Sequence, residues 1–306
     1  MKSTRCIGVS FFQGRMQVAE IEHGKKPLVT CLAEHDSSID FSEVGASLSP
    51  THPQLSTFVT ELREVLNDHK MEGELLSFAL PPEPVFINII PVDPSLTGKE
   101  LQRHLQWEVQ HYQPETNPAT LVIDTHRLPL ENSGAQQSFM VAVRKPLAAF
   151  LNKAATSLKR RMHIIDIDQF STEKTLITNY PEILEHDIVL FGLRFHGIDA
   201  SLIHNGQMTD YRRYFYDNIA DPKHPIESYL RYVKERYQAN QPAGVLLHGI
   251  GIDHELVISL RTQTGLKQTV ALNALRKIKT TSKVYEPFMQ ESHRFAAAIG
   301  LALRAK

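Results

Sequence analysis

Strand-like apolar runs broken at glycine turns occur twice in this chain, about 180 residues apart and in the same order. In the first, Ile7-Gly8-Val9-Ser10-Phe11 predicts a strand reaching a turn at Gln13-Gly14, residues 16–21 a second strand, and His23-Gly24 a second turn. In the second, residues 189–195 lead to His196-Gly197, and residues 198–203 to Asn205-Gly206. Glycine suits such turns because they need positive φ, which it adopts without a Cβ clash. Each unit, residues 6–32 and 187–216, is therefore predicted to be a three-stranded meander, and the chain to be duplicated. Two α/β lobes facing a cleft follow, with the first hairpin turn of each pointing into it.

The remaining pattern fills in both halves. After a polar loop from Asp36 to Pro53, the stripe Phe58, Leu62, Val65 and Leu66 predicts a helix over 55–69. Residues 75–80 form a strand that runs into Pro81-Pro82-Glu83-Pro84. A strand over 85–92 follows. Thr97-Gly98-Lys99-Glu100 has capping-box spacing and opens a helix that Pro114 ends. With strands over 121–128 and 138–143 and a turn over 131–137, residues 84–143 read as a small β-α-β-β insert. A helix over 145–157, a strand over 162–168 and a helix from Ser171 to near Tyr180 complete lobe one, residues 1–83 and 144–186. Lobe two, residues 187–290, continues with a helix over 225–238, a strand over 244–249, a helix over 253–264, a strand over 268–272 and an irregular segment over 273–287. A closing helix over 292–304, within residues 291–306, packs back through Phe295, Ile299 and Leu303.

At 306 residues the chain exceeds what one core usually fills, which agrees with two lobes. Its net charge of -1 recommends neither nucleic acid nor an anionic membrane as a partner. The basic runs Lys159-Arg160-Arg161 and Arg276-Lys277-Ile278-Lys279 read as solvated helix ends or loops. The opening residues predict no charged-then-apolar leader. The nearest approach to a membrane span, residues 295–303, is far too short, so no direct membrane insertion is expected. Cys6 and Cys31 fall on the first and third strands of one meander, about 9 to 10 Å apart and beyond disulfide reach. Both read as reduced and cytosolic.

Several segments, in order, resemble one family. Gln106-Trp-Glu-Val-Gln-His-Tyr-Gln-Pro114 resembles the glutamate, tyrosine and proline helix end of PilM-type pilus assembly proteins, which have an actin-like ATPase fold. Val141-Ala-Val-Arg-Lys145 and Ile165-Asp-Ile-Asp-Gln-Phe170 resemble that family's alanine-arginine-lysine strand and its valine-aspartate strand leading to a helix. Val245-Leu-Leu-His-Gly-Ile-Gly251 and residues 295–303 resemble its adenosine loop and its terminal alanine-glycine-leucine helix. The resemblance implies a duplicated actin-like (ribonuclease H-like) fold with a small subdomain inserted in lobe one, as in the cell-division relative FtsA. It also implies a cytoplasmic scaffold or ring subunit of a type IV pilus-like or secretion machine, held at the inner face of the inner membrane by gripping the short cytosolic peptide of a PilN-like partner. Homo-oligomers are part of that expectation.

Such a fold holds ATP with two hairpin turns, which need small residues for backbone contact and aspartates to hold Mg²⁺ through its water shell. In the first turn Ser10 stands where the family has its acid, ahead of Gln13 and Gly14. In the second, Gly192-Leu193-Arg194-Phe195-His196-Gly197 again lacks the aspartate. Phe11 and Phe12 are expected to obstruct backbone contact with a triphosphate. Phosphoryl transfer depends on positioning and charge neutralisation, so a pseudo-ATPase is expected, with no catalytic residue, no metal and no required cofactor. Any residual nucleotide contact falls to Ser10, Gln13, Gly14, Asp166, Arg194, Gly197, Gly249 and Gly251, with Arg15 and Arg194 able to meet an anion without metal. Gly249 and Gly251 also suit a packed strand-to-helix turn. Asp166, which with Asp168 is placed near the cleft, either orients water or metal or bonds backbone amides. An active ATPase or kinase of this fold and a filament-forming, division-like protein are the alternatives.

On the insert helix, Leu101, Leu105, Val109 and Tyr112 form a core stripe, while Trp107 lies opposite with Glu100, His104, Glu108 and His111. Trp107, His104 and His111 are the candidate partner-binding residues; the alternative is that Trp107 packs between subdomains. His104 and His111 are about 10.5 Å apart along the axis, too far to share a metal ion.

Overall fold

The computed structural model describes residues 4–12, 14–128, 136–195, 197–215, 222–237 and 242–304. Both meanders are present. The first is β1 (Thr4–Phe12), β2 (Arg15–His23) and β3 (Leu28–Asp36), antiparallel throughout. Gly14 turns it at φ +64°, the conformation expected there; Gln13 lies outside the described residues. Next come α1 (Phe41–Val44), α2 (Leu55–Asp68) and β4 (Leu75–Leu80), which runs parallel to β1. The insert is β5 (Val85–Pro91), α3 (Gly98–Tyr112), β6 (Leu121–Arg127) and β7 (Gln137–Arg144), in a sheet of order β5-β7-β6. Its expected turn lies mostly outside the described residues. Thr97 does occupy the cap position of α3, but its side chain makes no capping bond, so the capping box is not formed.

The chain returns through α4 (Lys145–Ser157) and β8 (Arg161–Ile167), parallel to β4, into α5 (Asp168–Asn179). The second meander is β9 (Ile188–Leu193), β10 (Gly197–His204) and β11 (Gln207–Phe215). Asn205 and Gly206 turn it at φ +50° and +71°, as a tight hairpin requires. His196 and Tyr216 lie outside the described residues. Then follow α6 (Lys223–Tyr237), β12 (Gly244–Gly249), α7 (His254–Thr264), β13 (Thr269–Ala271), β14 (Lys279–Thr280), α8 (Glu286–Gln290) and α9 (Ala296–Ala302).

The duplication is explicit in the sheet orders. One sheet runs β14-β3-β2-β1-β4-β8 and the other β11-β10-β9-β12-β13, so each is a meander extended beyond its first strand by two parallel strands, with β14 added at the far edge of the first sheet. Three details differ from the sequence reading. Within the segment expected to be irregular, Lys279 and Thr280 pair with Leu28 and Val29 of the first sheet, and a two-residue strand has no periodicity to read. Helix α5 begins at Asp168 rather than Ser171. The closing helix starts as a 3-10 turn, Ser292–Phe295, before α9.

Packing follows the apolar stripes. Helices α2 and α4 cover one face of the first sheet, burying Phe58, Leu62, Leu147, Phe150 and Leu151. At about 1.5–3 kcal/mol for each side chain of this size, that burial outweighs helix propensity in holding them there. Helices α6 and α7 cover the second sheet through Ile226, Tyr229, Val257 and Leu260. Between the sheets, α5 and α9 share one core with both, joining Cys6 and Ile21 to Leu190 and Ile203 through Leu176, Phe295 and Ile299. Cys6 and Cys31 are free and buried, and burial pushes both thiols up to about 11.

Candidate functional site

A cleft of about 740 Å³ opens between the lobes, lined by Phe12, Arg15, Gln17, Arg194, Gly251 and Arg294 among others. Ser10 is fully buried on β1, opposite Gln17 on β2, and neither Ser10 Oγ nor Gln17 Oε1 has a hydrogen-bond partner among the described residues. Gln17 Nε2 donates to Glu34 Oε1 at 2.9 Å. Glu34 also receives Arg294 Nη2 at 2.5 and 2.7 Å and Arg15 Nη1 at 3.4 Å, while Arg15 Nε meets Asp36 at 3.1 Å.

Arg194 is buried at the end of β9. Its Nε donates to Asp199 Oδ2 at 2.7 Å, and its Nη2 donates to Asp168 Oδ2. The guanidinium lies 5.2 Å from the Phe12 ring centroid, and Tyr211 OH donates to Asp199 Oδ1 at 2.7 Å. Burial disfavours the charged guanidinium, but Asp168 and Asp199 more than offset this and hold it protonated, well above its ordinary value. Burial pushes the Asp168 carboxyl up; Arg194 pulls it down and Asp199 pushes it up again. Two carboxylates thus share one guanidinium. Of the two arginines expected to meet an anion, Arg194 is paired with the buried Asp168 and Asp199, and Arg15 with Glu34 and Asp36.

Other expected residues separate. Phe11 turns into the lobe-one core, stacked on Phe41 at 4.0 Å, so only Phe12 faces the cleft. Asp166 does not reach the cleft: it receives Ser171 Oγ at 2.9 Å and pairs with Arg304 at 2.5 Å. The early start of α5 explains the exchange, since it turns Asp168 into the interface instead. Gly197 opens β10 where a Cβ would lie 2.6 Å from Tyr214 O, and Gly249, at φ +101°, leaves no room because a Cβ would lie 2.3 Å from Leu193 O. Both are packing glycines. Gly251, at φ +68°, stands open on the cleft wall.

Sequence reasoning passed over a second buried network beside Arg194. Gln169 Nε2 donates to Leu190 O at 3.0 Å and Ser201 Oγ at 2.7 Å, and His248 Nε2 donates to Gln169 Oε1 at 2.7 Å. Burial drives the His248 pKa down to about 3, so the ring is neutral. The one available signal was a histidine inside the otherwise apolar run of β12.

Buried Ser10, the Phe12 ring and the Arg194 guanidinium stand at or near the hairpin turns, and the cleft arginines Arg15, Arg194 and Arg294 are bonded to carboxylates. Among the described residues no group of three or more His, Cys, Asp or Glu could hold a metal ion.

A second concavity, of about 480 Å³, lies between the insert and lobe one. Helix α3 covers one face of the insert sheet through Leu105 and Val109, packed with Ile90, Ile123, Met140 and Ala142. Alternation along β6 and β7 therefore puts Val122, Phe139, Val141 and Val143 on the other face, where they line the groove. The opposite wall is β8, the last strand of its sheet, with Ile165, Asp166 and Ile167 in succession. Three consecutive residues lining one groove mean that the groove runs along the strand's edge, since neighbouring side chains point to opposite faces. Burial pushes Glu173, on the same wall, up to about 7, although Met208 N donates to its Oε1 at 2.8 Å.

On α3 the structure brings the three candidate partner-binding residues together. Trp107 is 60% exposed, which removes the alternative that it packs between subdomains. It stacks between His104 and His111, with ring centroids 6.3 and 5.7 Å away. The stripe is corrected at two positions: Tyr112 is exposed, whereas Glu108 is buried with His104 Nε2 at 3.6 Å from its Oε1.

Lobes, insert and cleft together define an actin-like ATPase fold. This chain is similar to a chain of the PilM-PilN type IV pilus biogenesis complex, with a TM-score of 0.77 and 17% identity over 98% of each chain. It is also similar to a Bacteroides thetaiotaomicron protein with an actin-like ATPase fold and unknown function, at TM-score 0.52 and 12% identity, covering 88% of this chain and 91% of that one. The ethanolamine utilization protein EutJ from Carboxydothermus hydrogenoformans gives a TM-score of 0.53 and 10% identity over 100% and 91%. No protein-family model and no curated protein sequence matches the chain. Among the described residues no helix is long and apolar enough to cross a membrane.

Proposed function

We propose that this protein is a non-catalytic scaffold of a type IV pilus-like or secretion machine, which binds the cytosolic tail of a PilN-like inner-membrane protein. The observation that carries the reading is the groove under the insert. An apolar sheet face and an open strand edge, both on rigid elements, suit an extended peptide that donates backbone hydrogen bonds to the edge and lays alternate side chains on the face. Likeness to a chain from the PilM-PilN complex supports the same reading. The cleft works as a pseudo-ATPase site, without nucleotide or metal. The protein resides in the cytoplasm and reaches the inner face of the inner membrane through its partner, and Trp107 with His104 and His111 offers a further contact for that partner or for a second copy.

The test is calorimetric titration of the full chain with a synthetic peptide covering the cytosolic tail of a PilN-type protein from the same cell. Binding that is lost in Val122→Asp, a half-exposed groove position, supports the reading. Binding that survives Val122→Asp and Val141→Asp together places the peptide elsewhere. Heat and phosphate release on adding ATP and Mg²⁺ would return the fold's ATPase activity to first place.

A further inference from the structure

We propose that the Arg194 guanidinium is a tethered cation that locks the two lobes at their hinge, in the role that a metal nucleotide has in a cleft of this kind. The proposal concerns the cleft and is independent of what docks in the groove.

The geometry carries it in three steps. Asp168 follows directly on the last residue of β8, so it marks the point where the chain leaves the first sheet. Arg194 and Asp199 belong to the second sheet's first hairpin, Arg194 just beyond the end of β9 and Asp199 on β10. The guanidinium therefore ties the second sheet to the hinge through Asp168, and to the first sheet through Phe12 on β1. Beside it, Gln169 fixes the same turn of α5 to Leu190 and Ser201 of the second sheet.

A cation that arrived with a bound ligand would leave with that ligand. A guanidinium on the chain cannot leave. Its planar fork also suits it to two carboxylates at once, which an ammonium would serve less well. The consequence is a lobe arrangement that does not depend on nucleotide.

The test uses the full chain with Ser56→Cys on α2 and Thr262→Cys on α7, both exposed positions, spin-labelled for distance measurement. Cys6 and Cys31 are buried and their thiols stay protonated, so labelling is confined to the introduced sites. We expect a single narrow distance distribution that millimolar ATP and Mg²⁺ leave unchanged. Arg194→Ala should lower Tm by ~5–8 °C, because two buried acids lose their cation. Should that variant fail to fold, Arg194→Ala with Asp168→Asn and Asp199→Asn removes the uncompensated charge. It should fold, and its distance distribution should be broad. A narrow, unchanged distribution in the triple variant would overturn the proposal, and so would narrowing or a shift of the native distribution on adding ATP and Mg²⁺.

Discussion

The Cβ that glycine lacks at position 8 would lie 2.1 Å from the carbonyl oxygen of Ala298, so β1 and α9 meet backbone to backbone. The same arrangement recurs between α9 and α5, where a Cβ on Gly300 would lie 1.8 Å from Ser171 O. These two contacts let α5 and α9 sit close enough to share one core with both sheets, and so set the spacing of the lobes on either side of the cleft.

Gly300→Ala is expected to destabilise the protein by ~3 kcal/mol or more, because the neighbour that must move is backbone rather than a flexible side chain. In an ordinary helix interior the same change would stabilise by roughly 0.5–1 kcal/mol. The sign of the shift in urea unfolding therefore decides whether close packing or helix propensity governs the position.

Trp107→Ala should leave the urea midpoint almost unchanged, within about 0.5 kcal/mol, since most of the ring is in water. Association of the full chain with its partner or with itself should weaken, measured by sedimentation with and without peptide. Unchanged association would reduce the aromatic stack to a solvated surface.

Acid should destabilise the protein through His248. Its folded pKa of about 3 lies below the ordinary value of 6.5, so its contribution is complete above pH 6.5 and is lost as pH falls towards 3. Relative to His248→Gln, the native chain should lose up to about 1.4 kcal/mol per pH unit through that window. Parallel curves for the two proteins would show that the ring is not held neutral.

Glu173 should act in the opposite direction. Burial raises its pKa from 4.5 to about 7, so its contribution is complete below pH 4.5 and is lost as pH rises through 7. Glu173→Gln should gain on the native chain between pH 4.5 and 7 and hold a constant advantage above about 8, read from urea midpoints across that range.

Much of this was legible in the residues. The repeated meander, the β-α-β-β insert and the helices over Leu55–Asp68 and Lys145–Ser157 each rest on a local period or a local turn, which a short window of chain contains in full. Gly14 and Gly206 could be read as turn glycines for the same reason, because positive φ is a demand made within a single hairpin. The two-lobed α/β organisation followed from those elements and their order, whereas the actin-like fold and the acid expected at Ser10 came from the resemblance to PilM-type proteins.

The site did not follow, because its partners are set by packing. Asp166 and Asp168 look equivalent in sequence, yet the residue at which strand β8 gives way to helix α5 sends one to Arg304 in the groove and the other to Arg194 in the cleft. Gly249 and Gly251 look equivalent too, but only one has a carbonyl oxygen where its Cβ would be. Arg194 is an available cation as a letter and a neutralised, buried one in space, since Asp168 reaches it from 26 residues away through the crossing of α5 with the second sheet. Periodicity determined which elements form and in what order. The close approach of α5, α9 and the two sheets decided which charges meet, because burial removes the water that would otherwise let each charge stand alone.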